Sequence, residues 1–549
     1  MVDRLLICVA FLAITGRGNA IEPVSASLEQ MAQILRGNVR LISIGDSYSA
    51  PYWSRIAPAG LRVWPIPLIE GLCNGADGTP AIVRCVSVCE PVSDVMASDA
   101  NGYSVERELS KTHYFGLPIY GIKEIYTDND FETNPDGDLF EFKLNVDELD
   151  TSVHGSFSSQ DDMLRFRLLF RAPSDHLNQP DSFLLQTEQS IITGFDPIDG
   201  ARKFYHLNQK PDGIGRTSVA RQINATAFDI PISYDDSNLY SVKLMEDAPL
   251  KGSNRFFDLA GAVYSRTNVD GSPKHGLYFT SIADGSWSYA GYGSDTESTG
   301  THNKKFSLEQ FTYWLDVTTL RQEQPIVFLW LFDVEPLTPK LMRSRTEAYI
   351  DQADTAASLV GITTTHHLLV TPHMHTISGE ISAEHMENHH TICTELATER
   401  DNVSFASIYA ATDGIMFNGS SESIAWLERN GFNNFAFGTN EINLIEEYAG
   451  NFLDQMNVHP NSKDAAAFFS SVLGNIIRDA GCQADIVPDG YINVYDLLAL
   501  INGWGNSGQG DVNNDSITNI VDLLIVIDGW GDCWPVQAPY NTPAFRSTR

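Results

Sequence analysis

Four short, nearly unbroken apolar runs constrain this chain more than any other feature: Val39 to Ile44, Ile326 to Phe332, His367 to Thr371 and Val403 to Tyr409. A strand with one wet face alternates in polarity, so a run that is apolar at successive positions needs cover on both faces, as in a parallel sheet. Helical stretches separate the runs. Ser307 and Gln310 make a capping-box pattern, and Leu308, Phe311, Trp314 and Leu315 then share one helical face. The alternation over residues 38–95, resumed over 280–480, predicts an open α/β domain with helices on both sides of its sheet.

The intervening region, 96–279, has a different period. Phe140 to Leu144 and Leu164 to Leu168 alternate strictly, and Asp, Gly, Pro and Ser clusters separate such runs. That pattern predicts an antiparallel all-β domain, a sandwich, inserted into the α/β domain. With 549 residues, several domains are expected in any case.

The 70 acidic side chains outnumber the 36 Lys and Arg, giving a formal charge of -34. So acidic a chain is not expected to bind nucleic acid or anionic lipid through charge. Residues 1–20 have the form of an export signal: Arg4, the apolar stretch Leu5 to Ile14, and a small-residue exit at Gly18-Asn19-Ala20. No later segment is apolar for long enough to span a bilayer, so membrane insertion is not expected. The expected location is extracellular or at the cell surface. Six of the seven cysteines follow the signal, an even number that suggests disulfides while leaving connectivity open. Cys482 and Cys533 bracket one compact segment and make the best single pair. Cys73, Cys85 and Cys89 are near enough in sequence for a local bridge.

Residues 482–533 contain an internal repeat, followed by a tail at 534–549. Asp485, Asp489, Asn493 and Asp496 recur 26 positions later as Asp511, Asp515, Asn519 and Asp522, with Asn513 where the first copy has Val487. Each copy runs into an apolar helix ending in Gly-Trp-Gly. Oxygen side chains at loop positions 1, 3, 5, 9 and 12, with the main-chain carbonyls of Tyr491 and Ile517 at position 7, form a cage for a hard cation such as calcium. The segment resembles a type I dockerin, a small helical domain with EF-hand-type loops. That resemblance implies bound calcium and a cohesin-like protein partner.

The first apolar run stops at Ile44-Gly45-Asp46-Ser47, which puts a serine just past the carboxyl end of a buried strand, where open α/β folds place ligands. Gly45 allows a tight turn, and backbone N–H groups there can face a developing oxyanion. Val458-His459-Pro460-Asn461 precedes the last helix of the α/β region, Asp464 to Ile477, so His459 can act as general base for Ser47. The pair resembles the SGNH/GDSL hydrolases: esterases, lipases and carbohydrate deacetylases with a flavodoxin-like three-layer α/β/α fold. The resemblance implies Ser47 as nucleophile and oxyanion donor, His459 as base and Gly293 as a second oxyanion donor. Where the family has an aspartate three residues before the histidine, this chain has Met456, and Asp454 is the candidate third member. The third strand ends in Trp330-Leu331-Phe332-Asp333 without the family's asparagine. Gly438-Thr439-Asn440-Glu441 has the missing pattern but is too close to His459 to leave room for the strand and helix between them.

Half of the 14 histidines fall between His366 and His390. His373 and His375 follow a strand and face the edge expected to carry Ser47. His385 and His389 have the helical spacing of a shared metal, against which stand substrate contacts or plain surface positions. The expectation is an exported serine esterase acting on a carboxylic ester, an acetyl group on a polysaccharide, with no cofactor for catalysis. The alternative is a catalytically degenerate SGNH scaffold that binds glycan or assembles at the cell surface through its dockerin-like repeat.

Overall fold

In the computed structural model, the described residues are 26–35, 38–45, thirteen strands lying between 84 and 283, positions 308, 311, 312 and 315, 324–332, 334–377, 380–381, 383–430, 435–437, 440–442, 453, 463–487, 491–508, 510–513 and 517–532. Five strands form a parallel sheet: β1 (Val39–Gly45), β2 (Leu277–Ala283), β3 (Ile326–Leu331), β4 (Thr365–Thr371) and β5 (Val403–Ser407). Their order is β2-β1-β3-β4-β5, the flavodoxin-like order. β1 pairs with β2 from Val39–Leu277 to Gly45–Ala283, and with β3 from Arg40–Ile326 to Gly45–Leu331.

Residues of β1 and β3 go alternately to two separate cores, which is why neither run alternates in polarity. Val39, Leu41, Val327, Leu329 and Leu331 join one core with helices α1 (Ala26–Leu35), α4 (Ser421–Arg429) and α5 (Lys463–Ala480). Ile42, Ile44, Ile326, Phe328 and Trp330 join the other with α2 (Pro339–Leu359) and α3 (Ala383–Glu399). Burial of each such side chain contributes about 1.5–3 kcal/mol. Of the helix expected at 307–315, Phe311 and Leu315 pack into this second core, while Leu308 is exposed.

The antiparallel strands lie between β1 and β2 in sequence. Six of them form their own sheet, but others extend the parallel one. Arg84–Val86 runs parallel to β2 and antiparallel to Arg255–Asn268, which pairs onward with Asp162–Arg171 and then Ala225–Ser233. The outer edge of β2 is thus paired in part, at Phe279 opposite Arg84. The second parallel strand begins at Leu277, inside the 96–279 span expected to be wholly inserted.

Two contacts fix the direction of α5. Gln33, near the end of α1 and so at the amino edge of β1, donates to the carbonyl of Gly481 just beyond α5 (3.4 Å). Toward the other end, the ring of His373, two residues past β4, stacks on Phe469 at 4.0 Å. α5 therefore opens at the carboxyl edge of the sheet.

The repeat forms two helices, α6 (Val494–Gly503) and α7 (Ile520–Asp528), each with a capping box, Asn493/Asp496 and Asn519/Asp522. The copies are interlocked. Ile492 in the first loop pairs with Gly531 beyond α7, while Thr518 in the second loop exchanges hydrogen bonds with Gly505 and Asn506 beyond α6. Neither copy can complete these pairings alone. Cys482, in the shared core, is disulfide-bonded, and Cys533 lies outside the described residues. Cys393, on α3, is a buried free thiol. Among the described residues, no helix is long and apolar enough to cross a membrane.

Candidate active site and repeat loops

In a sheet of this order, ligands bind outside the carboxyl ends of the strands where the order reverses, at β1 and β3. Gly45, Ala283 and Leu331 lie side by side at this edge. Ser47 is two residues beyond Gly45, and His459 four residues before α5. Ser47, Gly293, Asp454 and His459 all lie outside the described residues. Asn440 belongs to an antiparallel hairpin, Phe435–Phe437 with Asn440–Ile442, and not to the end of a parallel strand.

The described side-chain contacts at this edge come from the segments after β3 and β4. Past β3, the backbone N–H of Val334 donates to His375 Nε2 (3.2 Å), and His375 Nδ1–H donates to the Thr376 carbonyl (2.9 Å). His373 lies 6.2 Å from His375, ring to ring. Behind them, on α3, His389 Nδ1 is 2.8 Å from the Thr371 hydroxyl, and its ring lies against Cys393. Further down β4, His367 links two core residues. Trp330 Nε1–H donates to its Nδ1 (3.0 Å), and its Nε2–H donates to Asp354 (2.9 Å). Burial pushes the Asp354 carboxyl up, but hydrogen bonds from His367, Thr365 and Asn402 outweigh it and leave the pKa below the usual carboxylate range.

Plain surface positions are ruled out for most of the histidine cluster: His366, His367, His373, His375 and His389 are all buried. The apolar neighbours that bury them are spread along the chain, so a window of sequence around 366–390 does not reveal them. Among the described residues, no group of three or more His, Cys, Asp or Glu side chains is placed to hold a metal.

Burial, with the nearby His390 and His375, holds the His389 pKa down to about 3. Its native form is therefore neutral, whereas an unfolded histidine titrates near 6.5. The linked stability is complete above about pH 6.5 and falls progressively as pH drops toward 3, by on the order of 4 kcal/mol. His389→Asn keeps an acceptor for Thr371 without a titrating ring. Thermal unfolding across this range should show a shallower acid slope for the variant, and identical slopes would reject the assignment.

In the repeat, the position-12 carboxylates organise both loops. Asp496 accepts N–H groups from Val487 (2.8 Å) and Asn493 (2.7 Å). Asp522 accepts from Val512 (2.6 Å), Asn513 (3.1 Å) and Asn519 (2.7 Å). Both aspartates are 0% exposed. A carboxylate out of contact with water needs a cation or several donors, and here the N–H groups of both loops supply such donors. Asp485, Tyr491, Asp511, Asn513 and Ile517 are the other described ligand candidates. Asp489 and Asp515 lie outside the described residues. Asn493 and Asn519 use their Oδ1 as helix caps, accepting from Tyr495 and Val521, and their amides donate to the carbonyls of Tyr491 and Ile517. A position-9 residue engaged in this way suits contact with the ion through water.

No protein-family model matches the chain. No curated protein matches it either. Among solved structures, a peptidoglycan O-acetylesterase is similar over 84% of this chain and 98% of its own, at 10% identity and a TM-score of 0.41. A family two carbohydrate esterase from Cellvibrio japonicus is similar over 73% and 97%, at 7% identity and a TM-score of 0.22. An acetyl xylan esterase from the rumen bacterium Butyrivibrio proteoclasticus is similar over 60% and 90%, at 9% identity and a TM-score of 0.16.

Proposed function

We propose that this protein is an exported serine ester hydrolase of the SGNH type, with a calcium-binding dockerin-like module at residues 482–533. The observation that carries the reading is the convergence of two described elements. The central strand β1 ends at the carboxyl edge immediately before Asp46-Ser47, and α5, preceded by His459, opens at the same edge. Ser47 Oγ attacks the acyl carbon while its proton passes to His459, with the N–H groups of Ser47 and Gly293 donating to the oxyanion. Collapse of the tetrahedral species breaks the bond to the alcohol oxygen, which takes the proton from His459. Water, deprotonated by His459, then attacks the acyl-enzyme, and the second tetrahedral species releases the acid as Ser47 Oγ takes the proton back from His459. Asp454 orients His459.

The substrate in this reading is an acetyl ester on a polysaccharide, in keeping with the deacetylases of the family resembled and with the dockerin-like module. The module binds calcium through both loops and docks onto a cohesin-like protein. Apolar residues in the same register of both repeats support docking: Val494, Tyr495, Leu498 and Ile501 on α6, and Ile520, Val521, Leu524 and Ile527 on α7, all 45% exposed or more. The missing asparagine at Phe332-Asp333 favours the second reading, a degenerate scaffold that binds glycan. A fluorophosphonate probe separates the two. Mass spectrometry should find the adduct on Ser47, and well-folded protein that stays unlabelled would establish the non-enzymatic reading. Acetate release from acetylated polysaccharide, compared with p-nitrophenyl acetate and a long-chain ester, identifies the substrate class.

A further inference from the structure

The main chain leaving β3 is held by a side chain from beyond β4. A carbonyl cannot donate, so the contact of His375 with the Thr376 carbonyl places the ring hydrogen on Nδ1. Nε2 is then a lone pair, and it accepts the Val334 N–H at 3.2 Å. The ring is 1% exposed, with His373 against it at 69°, itself stacked on Phe469 of α5. Val334 is three residues past Leu331, the register partner of Gly45, and Gly45 precedes Ser47 by two. The clamped peptide therefore belongs to the segment that leaves the strand beside β1, where this chain has Phe332-Asp333 in place of an asparagine.

We propose that His375 is a positioning residue for hydrolysis at Ser47, its neutral ring fixing the backbone N–H of Val334 just past the end of β3. This rests on the hydrolase reading above. A fixed backbone there matters because a misplacement of about 1 Å costs on the order of 10²-fold in rate.

The test compares wild type with H375A, H375N and H375Q, counting competent sites by fluorophosphonate titration. Gln carries an uncharged acceptor where Nε2 stood. Asn is too short to reach Val334 and replaces Ala if Ala does not fold. Expected for H375A or H375N is a fall in kcat per titrated site on the order of 10²-fold, with KM changed less than about twofold, and substantial recovery in H375Q. A purely structural role would reduce the number of titrated sites and leave kcat per site unchanged, which overturns the proposal. So does a Gln variant no better than Asn. Amide exchange at Val334 should be faster in H375N than in H375Q, and equal exchange removes the clamp. A wild type that takes no label overturns the hydrolase reading itself, whereas a labelled wild type with fully active H375N overturns only the role of His375.

Discussion

Ser47→Ala is expected to lower kcat for p-nitrophenyl acetate by on the order of 10⁴–10⁶-fold while circular dichroism and thermal unfolding stay unchanged. In the proposed mechanism the alanine removes the atom that forms the acyl bond, and β1, two residues earlier in the chain, is left intact because it is buried along its whole length and paired on both sides. His459→Ala should cost a similar amount, because nucleophile and base act as one unit. For the same reason the double variant should be little worse than either single one. Asp454→Ala should cost less. A S47A protein as active as wild type would end the assignment of the nucleophile, and additive losses in the double variant would end the pairing with His459.

Calcium is expected to govern the stability of residues 482–533. At a hundredfold excess over Kd, each filled site adds about 2.7 kcal/mol. For so small a module, removal by EGTA should lower its transition by about 10 °C or more. Asp522→Ala should be at least as damaging, because it strands the N–H groups of Val512, Asn513 and Asn519 at about 1–3 kcal/mol for each that stays buried. The interlocked pairing of Ile492 with Gly531 and Thr518 with Gly505 should pass that damage to the first loop. Titration calorimetry on the full chain should then show both sites weakened by the one substitution. A first loop of unchanged affinity would refute the coupling, and identical melting in calcium and EGTA would refute calcium binding altogether.

The sequence by itself determined the local elements. Ile326 to Phe332 is apolar at every position, and a strand of that kind must be covered on both faces, so its place in a parallel sheet could be read directly. The 26-residue offset of the repeat could be read in the same way, whereas the capping boxes at Asn493 and Asn519 came to light only in the structure. The Ser47 and His459 patterns each need only a few adjacent residues to be noticed, and both lie outside the described residues. Everything that depends on pairing distant segments was decided by tertiary structure. The order β2-β1-β3-β4-β5 depends on which edges meet, and the extension of the sheet by Arg84–Val86 depends on β2 needing a partner for its outer edge. The histidines between 366 and 390 look like a polar surface in the sequence, yet most are interior, because Trp330, Phe469 and Thr371 come from separate elements to receive them. His375 is the sharpest case. Nothing near it in sequence announces Val334, and only the packing of β4 against β3 brings its lone pair to that N–H.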